Sequence, residues 1–153
     1  MDVDVDALAE RLRRNIGRKS QPMVKTMEKG ALLKFCAAVG ETNPLYVDEG
    51  YARTTVYGGL IAPPTYLSVF SEACVGALES DLPLTRFLHT DDHIESYLPI
   101  RVGDVITAQG ALADIFVKSG SRGPLLFQGV DITLTNQRDE RVALLKVTTV
   151  HYQ

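Results

Sequence analysis

The first third of the chain combines short helical patterns with one brief strand pattern. Residues 5–16 repeat their apolar positions at the spacing of an amphipathic helix, and a glycine follows them. Residues 21–29 contain a brief strand candidate, and residues 31–39 predict a second short helix that also ends at a glycine. Residues 41–63 have no sustained period and several Gly and Pro positions, which predicts a long irregular segment. Such a loop in a compact domain is usually functional or unfolded.

The most apolar helical pattern runs from Pro64 to Leu78. Tyr66, Phe70 and Cys74 recur in it at helical spacing, and apolar residues occupy most of the other faces as well. A helix that is apolar nearly all round is buried. Pro64 suits the first helical turn, where its missing N–H costs no helical hydrogen bond. The pattern therefore predicts one buried, long central helix.

After residue 83 the pattern changes to strands. Strand-like runs are predicted at residues 93–100, 104–118, 124–136 and 141–151, and the breaks between them are short enough for antiparallel hairpins. One buried helix followed by a β meander predicts an α+β fold in which an antiparallel sheet wraps around the helix. The chain has no internal repeat, low-complexity tract or linker, so we expect one domain over residues 1–153.

Charge and composition narrow the function classes. The 153 residues carry 16 Lys and Arg against 19 Asp and Glu, and the basic residues are spread along the chain. Nucleic acids and anionic membranes both require a basic patch, so we expect neither as a partner. The acidic start lacks the features of a signal peptide, and no stretch is apolar for long enough to span a membrane. Cys36 and Cys74, each inside a helical pattern, fit free buried thiols, so a cytoplasmic location is predicted.

The best candidate site lies in the irregular segment and the helix entry after it. Residues 40–48 read Gly-Glu-Thr-Asn-Pro-Leu-Tyr-Val-Asp, and residues 58–66 read Gly-Gly-Leu-Ile-Ala-Pro-Pro-Thr-Tyr. Glu41 and Tyr46 place a carboxylate and a phenol five residues apart, upstream of a buried helix. Loops of this kind are where polar groups meet an apolar cavity. The residues by themselves indicate a candidate binding loop and no specific reaction.

These two segments, with the helix and strands that follow, resemble the MaoC-like hot-dog family of (R)-specific enoyl thioester hydratases and 3-hydroxyacyl dehydratases. The similarity covers nearly the whole chain and includes residues 89–104 and 122–127. It is closest to the N-terminal, or A-subunit, branch, which occurs in actinobacterial heterodimeric (3R)-hydroxyacyl dehydratases and steroid side-chain enoyl-CoA hydratases. The resemblance implies a single hot-dog domain with its sheet wrapped around the central helix.

The chain departs from the family's catalytic loop, which reads Asp-x-Asn-Pro-x-His. Asn43 and Pro44 match that pattern, but Glu41 stands at the position of the Asp and Tyr46 at the position of the His. The Asp and His of catalytic members act on the α-proton and on the water or hydroxyl at C3. A tyrosine has an unperturbed pKa of about 10 and is a poor general base at neutral pH.

A second departure lies at the start of the central helix. Catalytic members carry a His-Gly pair there, and the Gly N–H polarises the thioester carbonyl as an oxyanion-hole donor. In this chain Pro63 and Pro64 occupy those positions, and proline has no N–H to donate. Loss of one such donor costs on the order of a hundred- to a thousand-fold in rate.

The resemblance therefore implies an accessory, substrate-binding subunit of a heteromeric (R)-type hydratase or dehydratase. Its partners would be an acyl thioester, linked to coenzyme A or to a carrier protein, and a catalytic hot-dog chain, or a second copy of itself as a homodimer. No cofactor is implied. The resemblance implies no intact catalytic residue in this chain. Glu41 and Tyr46 stand at the positions of the catalytic Asp and His. The residues implied to line the substrate site are Glu41, Asn43, Tyr46, Arg53, Ala62, Pro63, Pro64, Thr65 and Tyr66.

Other interpretations remain open. Asn43 could simply bond its own backbone in a turn, with Tyr46 anchoring the loop on the core. The chain could be a homomeric acyl-CoA thioesterase with Glu41 as base, or a non-enzymatic acyl-binding scaffold. Gly120, Arg122 and Gly123 could contact a phosphate, but a plain hairpin turn explains them as well.

Overall fold

The chain forms a five-stranded antiparallel sheet in the order β1-β3-β4-β5-β2. The computed structural model describes residues 3–74, 76–78 and 82–153. The three central strands are the longest, and they form a meander of two hairpins, β3-β4 and β4-β5. The strands are β1 (Met23–Thr26), β2 (Arg86–Ser96), β3 (Val105–Gly120), β4 (Gly123–Thr135) and β5 (Arg141–Tyr152).

One face of this sheet carries the core. In β4 every second side chain from Leu126 to Leu134 is buried, and the partners opposite them on β5 are buried too. This period of two follows from the pleat, which sends successive side chains to opposite faces. The sheet therefore presents one buried and mainly apolar face.

The central helix (Pro64–Cys74) packs on that face against β2, β3, β4 and β5. It begins at the predicted residue, and Tyr66, Leu67 and Phe70 are buried as a helix apolar nearly all round requires. It is wound as a 3₁₀ helix and ends at Cys74 instead of continuing to Leu78. Hydroxyls in the helix donate back to carbonyls three residues earlier, which accompanies the tighter winding. Val75, within the predicted helix, lies outside the described residues.

Two helices precede the central one along the chain. α1 (Val5–Arg13) is capped by Asp4 and ends earlier than predicted, because the chain turns at Gly17 to donate its N–H to Leu112 of β3. α2 (Lys29–Val39) ends at Gly40, which adopts the left-handed conformation that glycine tolerates best. Both helices bury their apolar faces in the common core.

The segment 41–63, predicted to be irregular, contains two short helices. α3 (Pro44–Val47) and α4 (Glu49–Arg53) follow each other directly. Each is capped by the side chain of the residue before it, Asn43 and Asp48 respectively. Helices of four and five residues are too short to show an apolar period, so the sequence pattern missed them.

Two strand predictions are wrong. The first long strand begins at Arg86, not at residue 93, because β2 is exposed along most of its length and shows no alternation of buried and exposed positions. The predicted hairpin at residues 101–103 does not form, since β2 pairs with β5 and lies at the far side of the sheet from β3. Residues 100–103 instead bond to Ala62, Leu60 and Met27, which ties the loop region to the sheet.

Both cysteines are free and buried, as predicted. No helix in the described ranges is long and apolar enough to cross a membrane.

Candidate functional site

The loop after α2 is organised by its own side chains. The Glu41 carboxylate accepts a hydrogen bond from the Asn43 N–H at 2.8 Å, and the Asn43 side-chain oxygen accepts one from the Leu45 N–H at 3.0 Å. Pro44 occupies the first helical position of α3, where it needs no N–H partner. The turn expected for Asn43 is therefore present. It also engages one carboxylate oxygen of Glu41.

Hydrogen bonds join this loop to the entry of the central helix. The Ile61 N–H donates to the Leu45 carbonyl at 3.4 Å, and the Ala62 N–H donates to the Ile100 carbonyl at 2.9 Å. Ile61 also forms an isolated bridge with Arg101. The structure therefore brings together the two segments that the sequence singled out, although residues 49–57 separate them along the chain.

Tyr46 lies half-buried against the core. Burial raises the pKa of its phenol, and the nearby Glu41 carboxylate raises it further because a second negative charge there is unfavourable. Tyr46 therefore stays protonated at neutral pH. As a hydrogen-bond donor it can hold a polar group of a ligand, but a protonated phenol cannot act as a general base at neutral pH.

Tyr66 and Cys36 complete the inner side of the site. The Tyr66 ring packs edge-to-face on Phe35 of α2, with ring centroids 5.1 Å apart. Burial raises the pKa of Tyr66, and burial together with Glu41 raises the pKa of the Cys36 thiol. Both groups are therefore neutral at pH 7. The sequence predicted Tyr66 as a residue of the substrate site. It predicted Cys36 only as a buried thiol, and no sequence signal placed Cys36 beside the loop.

The helix entry offers no N–H at residues 63 and 64, because both are prolines. Pro64 is the first residue of the central helix, and Pro63, which is buried, precedes it. The Tyr66 N–H is already engaged, since it donates to the Pro63 carbonyl at 2.9 Å. Thr65 is exposed beside them and Ala62 is half-buried. This helix start can shape an apolar wall, and its two prolines supply no N–H that could polarise a carbonyl.

Arg53 lies outside the inner site, on α4. Its guanidinium donates to Glu49 at 2.7 Å, and Lys29 of α2 contacts the same carboxylate. These two cations lower the pKa of Glu49. Lys29, Glu49, Arg53 and Arg101 surround a cavity of about 230 Å³ next to the Gly58-Gly59 turn. Three cations against one carboxylate give this cavity a net positive charge.

The remaining chemically interesting side chains lie elsewhere. His89 contacts Asp92 at 2.7 Å on β2, and His151 is buried on β5, where Gln128 lies 3.0 Å from its ring nitrogen. The hairpin with Gly120 and Arg122 lies at the end of β3 opposite to the site. Within the part of the chain that the structure describes, no three His, Cys, Asp or Glu side chains are placed to hold a metal ion.

The sequence has relatives of comparable length. A "UPF0336 protein" of Thermobifida fusca is 32% identical over 92 residues, which cover 58% of this chain and 60% of the relative. A "UPF0336 protein" of Streptomyces avermitilis is 30% identical over 112 residues, 69% of this chain and 74% of the relative. An "(R)-specific enoyl-CoA hydratase" of Rhodospirillum rubrum is 30% identical over 90 residues, 59% of this chain and 60% of the relative. The chain thus spans about 60% of the first and third of these proteins.

Solved structures share the fold at lower identity. A "MaoC-like dehydratase" superposes with a TM-score of 0.81 and 24% identity, over 93% of this chain and 43% of that one. The ChsH1-ChsH2 complex from Mycobacterium tuberculosis gives a TM-score of 0.75 at 19% identity, over 98% of this chain and 96% of that one. The HadBC (3R-hydroxyacyl-ACP dehydratase) complex from the same organism gives a TM-score of 0.74 at 18% identity, over 88% of this chain and 96% of that one.

A family model extends this likeness over most of the chain. The model described as "FAS1-like, dehydratase domain region" matches residues 14–145. These residues include β1 to β4 and the start of β5, together with the loop and the helix entry described above. The resemblance read from the sequence is confirmed, and the chain belongs to the FAS1-like dehydratase-region family of hot-dog proteins.

Proposed function

We propose that this chain is the accessory, substrate-binding subunit of a heteromeric (R)-type enoyl-thioester hydratase or 3-hydroxyacyl-thioester dehydratase. The observation that carries the proposal is the pairing of two defects at one site. Tyr46, whose pKa is raised, stands where a base is needed, and Pro63-Pro64 stand where a backbone donor is needed. Each defect alone would slow catalysis severely, so the base and the donor must come from another chain.

The intact parts of the site suit substrate binding. Tyr46 and Tyr66 are protonated and can donate hydrogen bonds at the edge of an apolar core. Ala62, Pro63, Pro64 and Thr65 form a rigid wall at the helix start, while Glu41 and Asn43 hold the loop in shape. In this function the acyl chain packs along that wall, and water is added or removed across the α,β bond in the partner's half of the site.

Arg53 fits the anionic part of the same substrate. Coenzyme A and a carrier-protein phosphopantetheine both bring phosphate, and the positive cavity beside Arg53, Lys29 and Arg101 lies at the outer side of the loop. Guanidinium groups bind phosphate well because their N–H groups can pair two oxygens at once. We propose that this cavity receives the phosphate next to the thioester arm.

Heteromeric complexes among the structural relatives support a separate catalytic chain. Two of the neighbours are complexes of two different chains, and one of these is titled a (3R)-hydroxyacyl-ACP dehydratase. We propose that the catalytic partner is a hot-dog chain that carries the complete Asp-x-Asn-Pro-x-His loop and a Gly at its helix entry. We also propose that the whole of residues 1–153 acts as one domain, in the cytoplasm.

The test is to follow hydration of an enoyl-CoA by this chain alone and after co-expression with such a hot-dog chain from the same genome. We expect the pair to be active and this chain alone to be inactive. Equal activity of this chain alone would contradict the accessory role. Release of free thiol from an acyl-CoA by the pure chain would instead support the thioesterase alternative, with Glu41→Gln as the variant that should abolish it.

A further inference from the structure

A further cavity lies at the end of the sheet opposite to the candidate site. It has a volume of about 210 Å³ and lies between the turn of the β3-β4 hairpin, the start of β2 and the end of β5. Residues at the start of α1 close its remaining side. Its volume is below the range of about 300–1,000 Å³ that is usual for drug-sized ligands, so only a small molecule fits.

Two arginines supply the charge of this cavity. Arg86 lies at the start of β2 and Arg122 in the β3-β4 turn, and no Asp or Glu is among the described residues that line the cavity. Neither guanidinium has an ion-pair partner in the described part of the chain, whereas those of Arg53 and Arg138 each contact a glutamate. An α-carboxylate at Gln153, which also lines the cavity, would offset one of the two charges. The cavity is positive in either case.

Local contacts hold both arginines beside the cavity. The Arg86 guanidinium carbon lies 5.9 Å from the centroid of the Tyr152 ring, at the distance of a cation–π contact. Gly120 pairs with Gly123, so the turn has only two residues, and Arg122 is the second of them. A Cβ at Gly120 would lie 2.9 Å from the Gly123 carbonyl oxygen, so the backbone would have to shift to accept any side chain there. The tight turn thus fixes the backbone that carries Arg122.

The other walls of the cavity are largely apolar. An inorganic anion keeps its hydration best in water and gains nothing from such walls, whereas an aliphatic chain is removed from water by them. Small-molecule sites typically combine apolar walls with a few polar groups that fix the orientation of the ligand. The apolar residues that line the cavity, besides the Tyr152 ring, are Val3, Val5, Leu84, Pro124 and Leu125.

We propose that this cavity binds a short aliphatic carboxylate. The carboxylate pairs with Arg86 and Arg122, because guanidinium groups bind carboxylates through two N–H groups at once. The aliphatic chain lies against Leu84, which is buried, and Leu125, which is half-buried. The site shares no residue with the loop of the candidate site or with the cavity beside Arg53, so the inference does not depend on the proposed function.

Titration of the isotope-labelled chain, followed by NMR, tests the site. Hexanoate is the probe, and its comparison ligands are acetate, which lacks the long chain, hexanol, which lacks the charge, and inorganic phosphate. We expect hexanoate to shift the amide signals of Ser121, Gly123 and Tyr152 and to leave those of residues 41–46 in place. It should bind at least about tenfold more tightly than each comparison ligand, since only hexanoate uses both the arginines and the apolar walls.

Substitutions separate the two parts of the site. Arg86→Gln and Arg122→Gln should each weaken hexanoate binding about tenfold, because each removes one charge-assisted contact. Arg141→Gln is the matched control and should leave binding unchanged. Arg141 also lies over a tyrosine ring, that of Tyr97 at 4.9 Å, but at the other end of β5. Leu125→Ala keeps both arginines and should weaken the binding of hexanoate more than that of acetate.

Each comparison has an outcome that contradicts the proposal. No shift with hexanoate, or shifts confined to residues 41–46, would overturn the site. Phosphate binding as tight as that of hexanoate would overturn the aliphatic ligand, and equally tight hexanol binding would overturn the role of the arginines. A loss with Arg141→Gln equal to that with Arg122→Gln would reduce the effect to general attraction by basic groups. Activity of the chain alone in the hydration assay would overturn the accessory function and leave the titration as it stands.

Discussion

At the scale of single residues, the site is defined by what Tyr46 and the two prolines cannot do. Burial and Glu41 raise the pKa of the Tyr46 phenol above its ordinary value. A tyrosine is already a poor general base at neutral pH, and the raised pKa makes it a poorer one. Pro63 and Pro64 lack their N–H groups in any conformation. These limits are chemical, and no rearrangement of the loop removes them.

We predict that activity in this chain alone requires several changes together. Tyr46→His, Glu41→Asp and Pro64→Gly restore the base, its partner carboxylate and the backbone donor, and only the triple variant should hydrate an enoyl-CoA. Tyr46→His by itself should stay inactive, because the missing oxyanion donor costs on the order of a hundred- to a thousand-fold. Full activity of that single variant in the same assay would show that the helix entry does not matter.

A second residue-scale prediction concerns His151. Burial lowers the pKa of this histidine below its ordinary value, so the folded chain holds it neutral where the unfolded chain already binds a proton. The free energy of unfolding should therefore decrease as the pH falls through the ordinary histidine pKa of about 6.5. The decrease should continue until the pH reaches the lowered pKa of the folded state.

Urea unfolding at a series of pH values checks this linkage. His151→Gln keeps a polar partner for Gln128 but does not titrate, so its stability should change less over the same interval. An equally steep dependence in His151→Gln would contradict the assignment.

At the scale of elements, the contact of the central helix with the sheet depends on one glycine. A Cβ at Gly110 of β3 would lie 2.6 Å from the Ala73 carbonyl oxygen and 3.0 Å from a Val130 methyl. The first of these atoms belongs to the backbone and cannot rotate away. Gly110 therefore sets how closely the helix approaches β3.

We predict that Gly110→Ala destabilises the protein by about 1–3 kcal/mol, the usual range for overpacking a core. Chemical denaturation measures the change. Gly30→Ala in α2 is the matched control, because a Cβ there meets nothing within 4 Å and alanine favours the helix by about 0.5–1 kcal/mol. Equal effects of the two substitutions would mean that the helix can shift to accept the added methyl group.

The elements also show where pattern reading succeeds. β4 and most of β3 alternate buried and less buried positions, and β5 is a largely buried apolar run, so each is marked in the sequence. β2 has little buried surface, and its first half was missed for that reason. The short helices α3 and α4 depend on caps from Asn43 and Asp48, a local signal that a search for periodicity does not register.

At the scale of the whole molecule, the two sheet edges are unequal. β1 is short, and Lys25 on it bonds to Glu72 of the central helix. β2 is long, open and acidic at its centre. β2 forms this edge because it lies beyond β5 in the sheet. The predicted hairpin at residues 101–103 would have placed it beside β3 instead. The inequality leaves the molecule with one short edge and one long, exposed edge.

The sequence by itself determined the chemistry of the candidate site and the elements whose signals are local. The identities of Glu41, Tyr46, Pro63 and Pro64 limit the reactions available, and the apolar run from Pro64 requires a buried helix. Tertiary structure alone decided that β2 joins β5, that Gly110 meets the central helix, that His151 is buried and that Cys36 lies beside the loop. The reason is physical: periodicity reports which face of an element is buried, whereas pairing and close approach depend on residues distant in the chain.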